Sequence, residues 1–170
     1  MTQVHEKAIN YKRFWKDLTS GRFVSMVRES AKGESVANST EVFNIMKPIY
    51  ARHSDIEIVY GIFLDARNHI LSIEALFTGT ITSSTIYCRE IVKIMIRLKA
   101  SALVLLHNHP AGSVTPSAED MAITRKVYVA LSSIDALLHD HIIIGDRYYS
   151  FSDTGNLELL KKEYFKLIQH

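Results

Sequence analysis

The sequence predicts a mixed α/β domain in which a central sheet is covered by helices. Three observations predict it. Apolar runs of strand length alternate with stretches of helical period, and the run at 56–64 is apolar on both of its faces. No Pro/Gly/Ser linker, repeat or low-complexity tract divides the 170 residues, a length that suits one domain with a real core.

Residues 1–35 come first, as an N-terminal segment. Lys12, Arg13, Lys16, Arg22 and Arg28 interleave there with Tyr11, Phe14, Trp15 and Phe23. An amphipathic segment packing its aromatics on the domain is expected, and nucleic-acid contact through phosphates and stacked bases is the alternative. Between 38 and 51 the residues Val42, Phe43, Ile45, Met46, Ile49 and Tyr50 recur at helical spacing. Ser39 or Thr40 is the expected cap, and Pro48 should kink or shorten the last turn.

IEIVYGIFL (56–64) and HILSIEALF (69–77) flank the polar turn DARN, which makes a hairpin. Two apolar faces mark the first strand as central. A carboxylate among such neighbours is costly to bury unless something pairs with it, and burial raises its pKa. Glu57 is therefore the candidate general base, with Glu74 on the partner strand as the fallback; a solvated strand start is the plainer reading of Glu57. Residues 88–100 follow as a helix with Ile91, Val92, Met95 and Leu98 on its apolar stripe. Cys88 near its start lacks an assignable histidine partner, so an inert thiol is expected.

The stretch LVLLHNHPAGSVTPSAED (103–120) gathers the chemistry. Its four leading apolar residues form a short buried strand, and residues two apart on a strand point the same way, so His107 and His109 face one side. Pro110, Gly112 and Pro116 then break the pattern. Ser117 opens a helix that runs to about residue 133, with Met121, Val127 and Leu131 on its apolar side. Asp120 reads either as part of a capping box with Ser117 or, if the loop folds back, as a third donor beside the two imidazoles. Two nitrogens and an oxygen, with a fourth position left to water, make the arrangement of a catalytic zinc site with bonds of about 2.0–2.2 Å. A closed structural site would want a fourth protein ligand. Each part alone has a plain explanation; the conjunction of H-x-H, ten residues and then Asp favours the metal.

LLHDHIIIGDRYYSFSD (137–153) gives two strands around 145–147. His139 and His141 repeat the H-x-H spacing without a third ligand at a recognisable distance. In the tail, Leu157, Leu160, Tyr164, Leu167 and Ile168 share a helical stripe that should dock on the domain or on a second subunit, which allows a homo-oligomer.

Composition narrows the classes. With 47% hydrophobic and 22% charged residues the chain is ordinary globular protein, and a net charge of +2 with pI near 8.6 permits nucleic-acid binding without arguing for it. One cysteine excludes an internal disulfide. No apolar segment is long enough to span a bilayer, and the first residues lack the apolar core of a signal peptide, so no membrane and a cytoplasmic location are expected.

HNHPAGSVTPSAED (107–120) resembles the JAMM motif of the JAB/MPN metalloproteases, and their RadC-like branch in particular. The likeness extends to GTITSSTIYCREI (79–91), DHIIIGD (140–146) and YYSF (148–151), and covers roughly residues 36–152. That leaves 1–35 as a segment packing on the core and 153–170 as a C-terminal helix. Ala111 stands where Ser is usual, and Tyr87-Cys88 replaces a common His-Pro; neither departure removes a ligand. The resemblance implies a cytidine deaminase-like JAB/MPN core that binds one zinc per chain on His107, His109 and Asp120. It further implies that Glu57 holds the zinc-bound water, that Ser117 donates to the developing oxyanion, and that Asp140 and His141 support the site from behind. The implied reaction is hydrolysis of a peptide or isopeptide amide in a protein or peptide substrate. A RadC-like DNA repair or replication accessory protein with a non-catalytic metal is the competing reading. An assembly module is a third, which the complete ligand set disfavours.

Overall fold

The computed structural model describes residues 20–51, 56–79 and 87–168. Five strands are found there: β1 (Ile58–Leu64), β2 (Ile70–Thr78), β3 (Ala102–Asn108), β4 (Leu137–Ile144) and β5 (Tyr148–Ser150). They form one mixed sheet in the order β2-β1-β3-β4-β5. β1 is antiparallel to both β2 and β3, β3 is parallel to β4, and β4 is antiparallel to β5.

Local chemistry sets these connections. At the β1–β2 turn the Asp65 carboxylate accepts the backbone N–H groups of Arg67 and His69, and Asn68 takes the left-handed conformation that a short polar side chain tolerates. The parallel β3–β4 pair requires a crossover, and helix α4 (Ala118–Ser132) supplies it.

Helices α1 (Arg22–Ser30) and α2 (Ser39–Tyr50) lie on one face of the sheet; α3 (Cys88–Leu98), α4 and α5 (Asn156–Ile168) lie on the other. The alternation of β1 serves both layers. Tyr60, Ile62 and Leu64 join Val42, Met46 and Ile49 of α2, while Val59 and Phe63 join Ile91, Met95, Ile123 and Val127. Met46 and Ile49 are wholly buried, so truncating either to Ala costs about 2–5 kcal/mol. This is the mixed sheet between helices that the apolar pattern predicts.

Details differ from expectation. The cap of α2 is Asn38, whose side chain accepts the Glu41 N–H, instead of Ser39 or Thr40. Their hydroxyls are used elsewhere, Ser39 on Asp153 and Thr40 on Tyr148. Pro48 lies inside α2, which closes two residues later. In the tail, Leu157 and Leu160 are buried and the Tyr164 ring meets Tyr128 edge to face, so α5 docks on its own domain. Of the N-terminal segment, Val24 and Ala31 join the core, whereas Tyr11, Lys12, Arg13, Phe14, Trp15 and Lys16 lie outside the described residues. No helix among those residues is long and apolar enough to cross a membrane.

Candidate metal centre

β3 delivers His107, its second-last residue, onto the face that it shares with Leu103 and Leu105 and that α4 covers, and the chain then leaves the sheet. His109 N–H donates to the Ile144 carbonyl and Gly112 N–H to the His109 carbonyl, which folds the loop back over the strand ends. The turn after β4 presses against that loop. A Cβ on Gly145 would stand 2.8 Å from the Gly112 carbonyl oxygen, so this approach requires glycine. α4 begins beside it and brings up Asp120.

Three side chains converge as a result. His107 Nε2 lies 2.9 Å from His109 Nε2 and 3.0 Å from Asp120 Oδ1, and His109 Nε2 lies 3.4 Å from Asp120 Oδ2. Tetrahedral zinc with bonds of about 2.0–2.1 Å would hold its donors about 3.3 Å apart, within a few tenths of an ångström of each observed separation.

The proton positions make the same demand. Thr124 Oγ1 donates to the Asp120 carbonyl and so accepts from His141 Nδ1, 2.6 Å away. His141 is fully buried, and burial above all holds its pKa well below the usual histidine value, which keeps it neutral. Its Nε2 therefore accepts the Nδ1–H of His107 across 2.8 Å, and His107 Nε2 is left with a lone pair. On the other side, His109 Nδ1 donates to the Ser113 carbonyl at 2.7 Å. Both Nε2 lone pairs and a carboxylate thus point at one spot, and only a cation, a proton or a metal ion, relieves their repulsion. The residues present fit a zinc ion.

The carboxylates respond to this environment. Where a proton takes the place of the ion, burial would push the Asp120 carboxyl up, but hydrogen bonds from the protonated imidazoles of His107 and His109 and from the Ser117 backbone outweigh it and hold Asp120 far below the carboxylate range. Conversely, the hydrogen bond to Asp120 raises His109 above its ordinary value against the effect of its partial burial.

Ser117 and Asp120 also form a reciprocal capping box: Ser117 Oγ accepts the Asp120 N–H at 3.1 Å, and Asp120 Oδ2 accepts the Ser117 N–H at 2.7 Å. Of the two readings in the sequence the cap is present, and the same carboxylate lies beside both imidazoles. The Ser117 hydroxyl donates to Asp120 Oδ2 at 2.7 Å. Glu57 sits half-buried just before β1, and its carboxylate oxygen and the ring nitrogens of His107 and His109 all lie within 4.8 Å of one another, a set that could itself hold a metal ion. Glu74, the fallback, is instead engaged by the guanidinium groups of Arg28 and Arg97.

Two supporting residues escaped the sequence reading. Asn108, between the histidines, is buried and brackets Glu57: its Oδ1 accepts the Ile58 N–H at 2.8 Å and its Nδ2 donates to the Ile56 carbonyl at 3.0 Å. Thr124, one turn after Asp120, fixes the His141 tautomer; the i, i+4 spacing was its only signal. Of the residues expected to support the site, His141 touches His107, but Asp140 faces the opposite layer. There it accepts Ser150 Oγ and the N–H groups of His141 and Ser152. His139 bonds Asn68, a structural contact. Cys88 starts α3 half-buried, and burial pushes its thiol up, as an inert thiol requires.

The comparisons with known proteins converge with this geometry. Residues 36–156 match the RadC-like JAB domain. A UPF0758 protein of Pseudomonas fluorescens is 40% identical over 118 residues, which is 69% of this chain and 53% of the relative. Another from Photobacterium profundum is 45% identical over 100 residues, 58% of this chain and 45% of the relative. A third, from Thiobacillus denitrificans, is 34% identical over 134 residues, 78% of this chain and 59% of the relative. The chain thus spans about half the length of the curated relatives it matches. With most of its own length inside the match, the chain belongs to the RadC-like JAB domain family.

Proposed function

We propose that this domain is a zinc-dependent hydrolase of the JAMM type that cleaves a peptide or isopeptide amide bond. The observation that carries the reading is the convergence of two imidazole nitrogens and the Asp120 carboxylate at zinc-ligand spacing, with a carboxylate oxygen of Glu57 within 4.8 Å of ring nitrogens of the same two histidines. Zinc, when bound there, supplies Lewis acidity and brings the pKa of a coordinated water toward neutrality.

His107, His109 and Asp120 hold the ion, and His141 with Thr124 keeps the His107 lone pair directed at it. Glu57 takes the proton of the attacking water and returns it to the leaving amine nitrogen. In its oxyanion role, the Ser117 hydroxyl turns from Asp120 to the substrate carbonyl oxygen, while the Ser117 N–H stays on Asp120.

Glu57→Gln tests the assignment. It keeps the shape and removes the base, so zinc content should stay at the wild-type level while hydrolysis of a peptide or isopeptide panel falls by about 10²–10⁴-fold. Undiminished turnover in that variant would end the role given to Glu57.

A further inference from the structure

Asp140 is a buried carboxylate that the metal centre does not use. It is 6% exposed, and its oxygens accept the Ser150 hydroxyl and the N–H groups of His141 and Ser152. Among the described residues no cation pairs with it. Buried charges are ordinarily paired or bound to a cation, and this one is not. Desolvation above all, with the charge of Asp153 adding to it, holds the carboxyl up at about 6 against its hydrogen-bond donors, so near neutral pH it is still mostly ionised.

The carboxylate faces a cavity of about 300 Å³ on the side of the sheet away from the metal centre. Asp140 shares a face of β4 with Ile142 and lies beside Val104 of β3, and all three line the cavity. Val42 of α2 and Leu64 of β1 add apolar wall. The exposed Asp153 completes the lining next to Ser39, whose hydroxyl it accepts.

Charge and hydrogen bonding select one class of ligand. Asp140 and Asp153 are the only ionic groups among the described residues of the lining, and both are acids. His139, also in the lining, is held below its ordinary value by burial first and then by Lys161, which itself does not line the cavity. Its Nε2 donates to Asn68 Oδ1 at 2.8 Å, so Nδ1 carries a lone pair and adds an acceptor. The start of α2 would favour an anion, but the Glu41 carboxylate answers it by accepting the Ala37 N–H and the Asn38 amide. We propose that this cavity binds an organic cation, an ammonium or guanidinium group on a short aliphatic stem, with its head on the Asp140 and Asp153 carboxylates and its stem on Val42, Leu64 and Val104. The site is separate from the metal centre and does not depend on the hydrolase reading.

The probes are n-butylammonium, n-butylguanidinium and butyrate, titrated into the full chain at about pH 7 while backbone amide shifts are followed. Both cations should shift Asn68, His139 and Ser152 saturably, and butyrate should not. Asp140→Asn keeps the acceptor for the His141 and Ser152 N–H groups, so it should fold and bind the cations about tenfold more weakly or worse, the loss of one charge-assisted hydrogen bond. Asp153→Asn changes an exposed residue, should weaken binding about two- to fivefold, and carries the test if the first variant does not fold. Ac-Lys-NHMe distinguishes the sources of the cation: binding tighter than that of n-butylammonium assigns the cavity to a basic side chain of a protein, and equal or weaker binding to a free small amine. No saturable binding of either cation, equal affinity of the wild type and the folded variants, or shifts confined to His109 and Gly112 at the metal centre would overturn the proposal.

Discussion

Protons at single residues have few places to go in this molecule, and two buried aspartates show opposite consequences. With a proton at the cluster in place of the ion, Asp120 is held ionised by its imidazole and backbone donors, so its contribution to stability is present above the ordinary carboxylate pKa and is lost as pH falls. Asp140 goes the other way. Desolvation outweighs three hydrogen-bond donors and raises it from 3.8 to about 6. A carboxyl that binds its proton more tightly when folded makes stability fall as pH rises from about 4 to about 6, by on the order of 2–3 kcal/mol, and leaves it level above that. Asp140→Asn should abolish this component, since an amide keeps the acceptor for the His141 and Ser152 N–H groups and can donate to Ser150. Urea unfolding of wild type and variant at about pH 4 and about pH 7 reads the difference, in which the Asp120 slope cancels. A variant that gains nothing on the wild type between the two pH values would show that Asp140 is ionised throughout.

Secondary-structure elements set the geometry by their ends and irregularities, and the sequence revealed these unevenly. β3, its loop and the start of α4 were legible because strand parity places His107, and because Ser117 and Asp120 are capping residues in any context. His109 was legible as a candidate only by spacing; it lies beyond the strand end, and a bond to Ile144 places it. The partner strand hid more. Strict alternation would put His139 and His141 on one face, but the register passes from Leu103↔Leu138 to Val104↔Asp140, and the extra residue changes the parity of β4. His141 therefore reaches His107 while His139 reaches Asn68. Such a bulge has no single-residue signature. Asn108 was equally silent, since nothing in H-N-H announces that the middle side chain crosses to β1. Asn108→Ala should strip the Ile58 N–H and Ile56 carbonyl of their partner, at about 1–3 kcal/mol. Hydrogen exchange at the Ile58 amide should quicken while zinc content holds; an unchanged exchange rate would mean that Asn108 does not clamp the approach to Glu57.

At the scale of the whole domain, the centre joins three parts of the chain: the approach to β1, the end of β3 with its loop, and the start of α4. A ligand that binds only the assembled state stabilises all of it, by about 2.7 kcal/mol at a free concentration 100-fold above its dissociation constant. For a chain of this size that corresponds to a melting temperature about 5–10 °C higher with zinc than after chelation. The same linkage makes the metal itself the most direct probe of the account. Metal content by mass spectrometry, on protein purified without added metal and side by side for wild type and His107→Ala/His109→Ala, should give zinc close to one per chain in the first and none in the second. A wild type that carries no zinc even after the ion is supplied, or a double variant that retains it, would contradict the claim that this cluster is a metal centre.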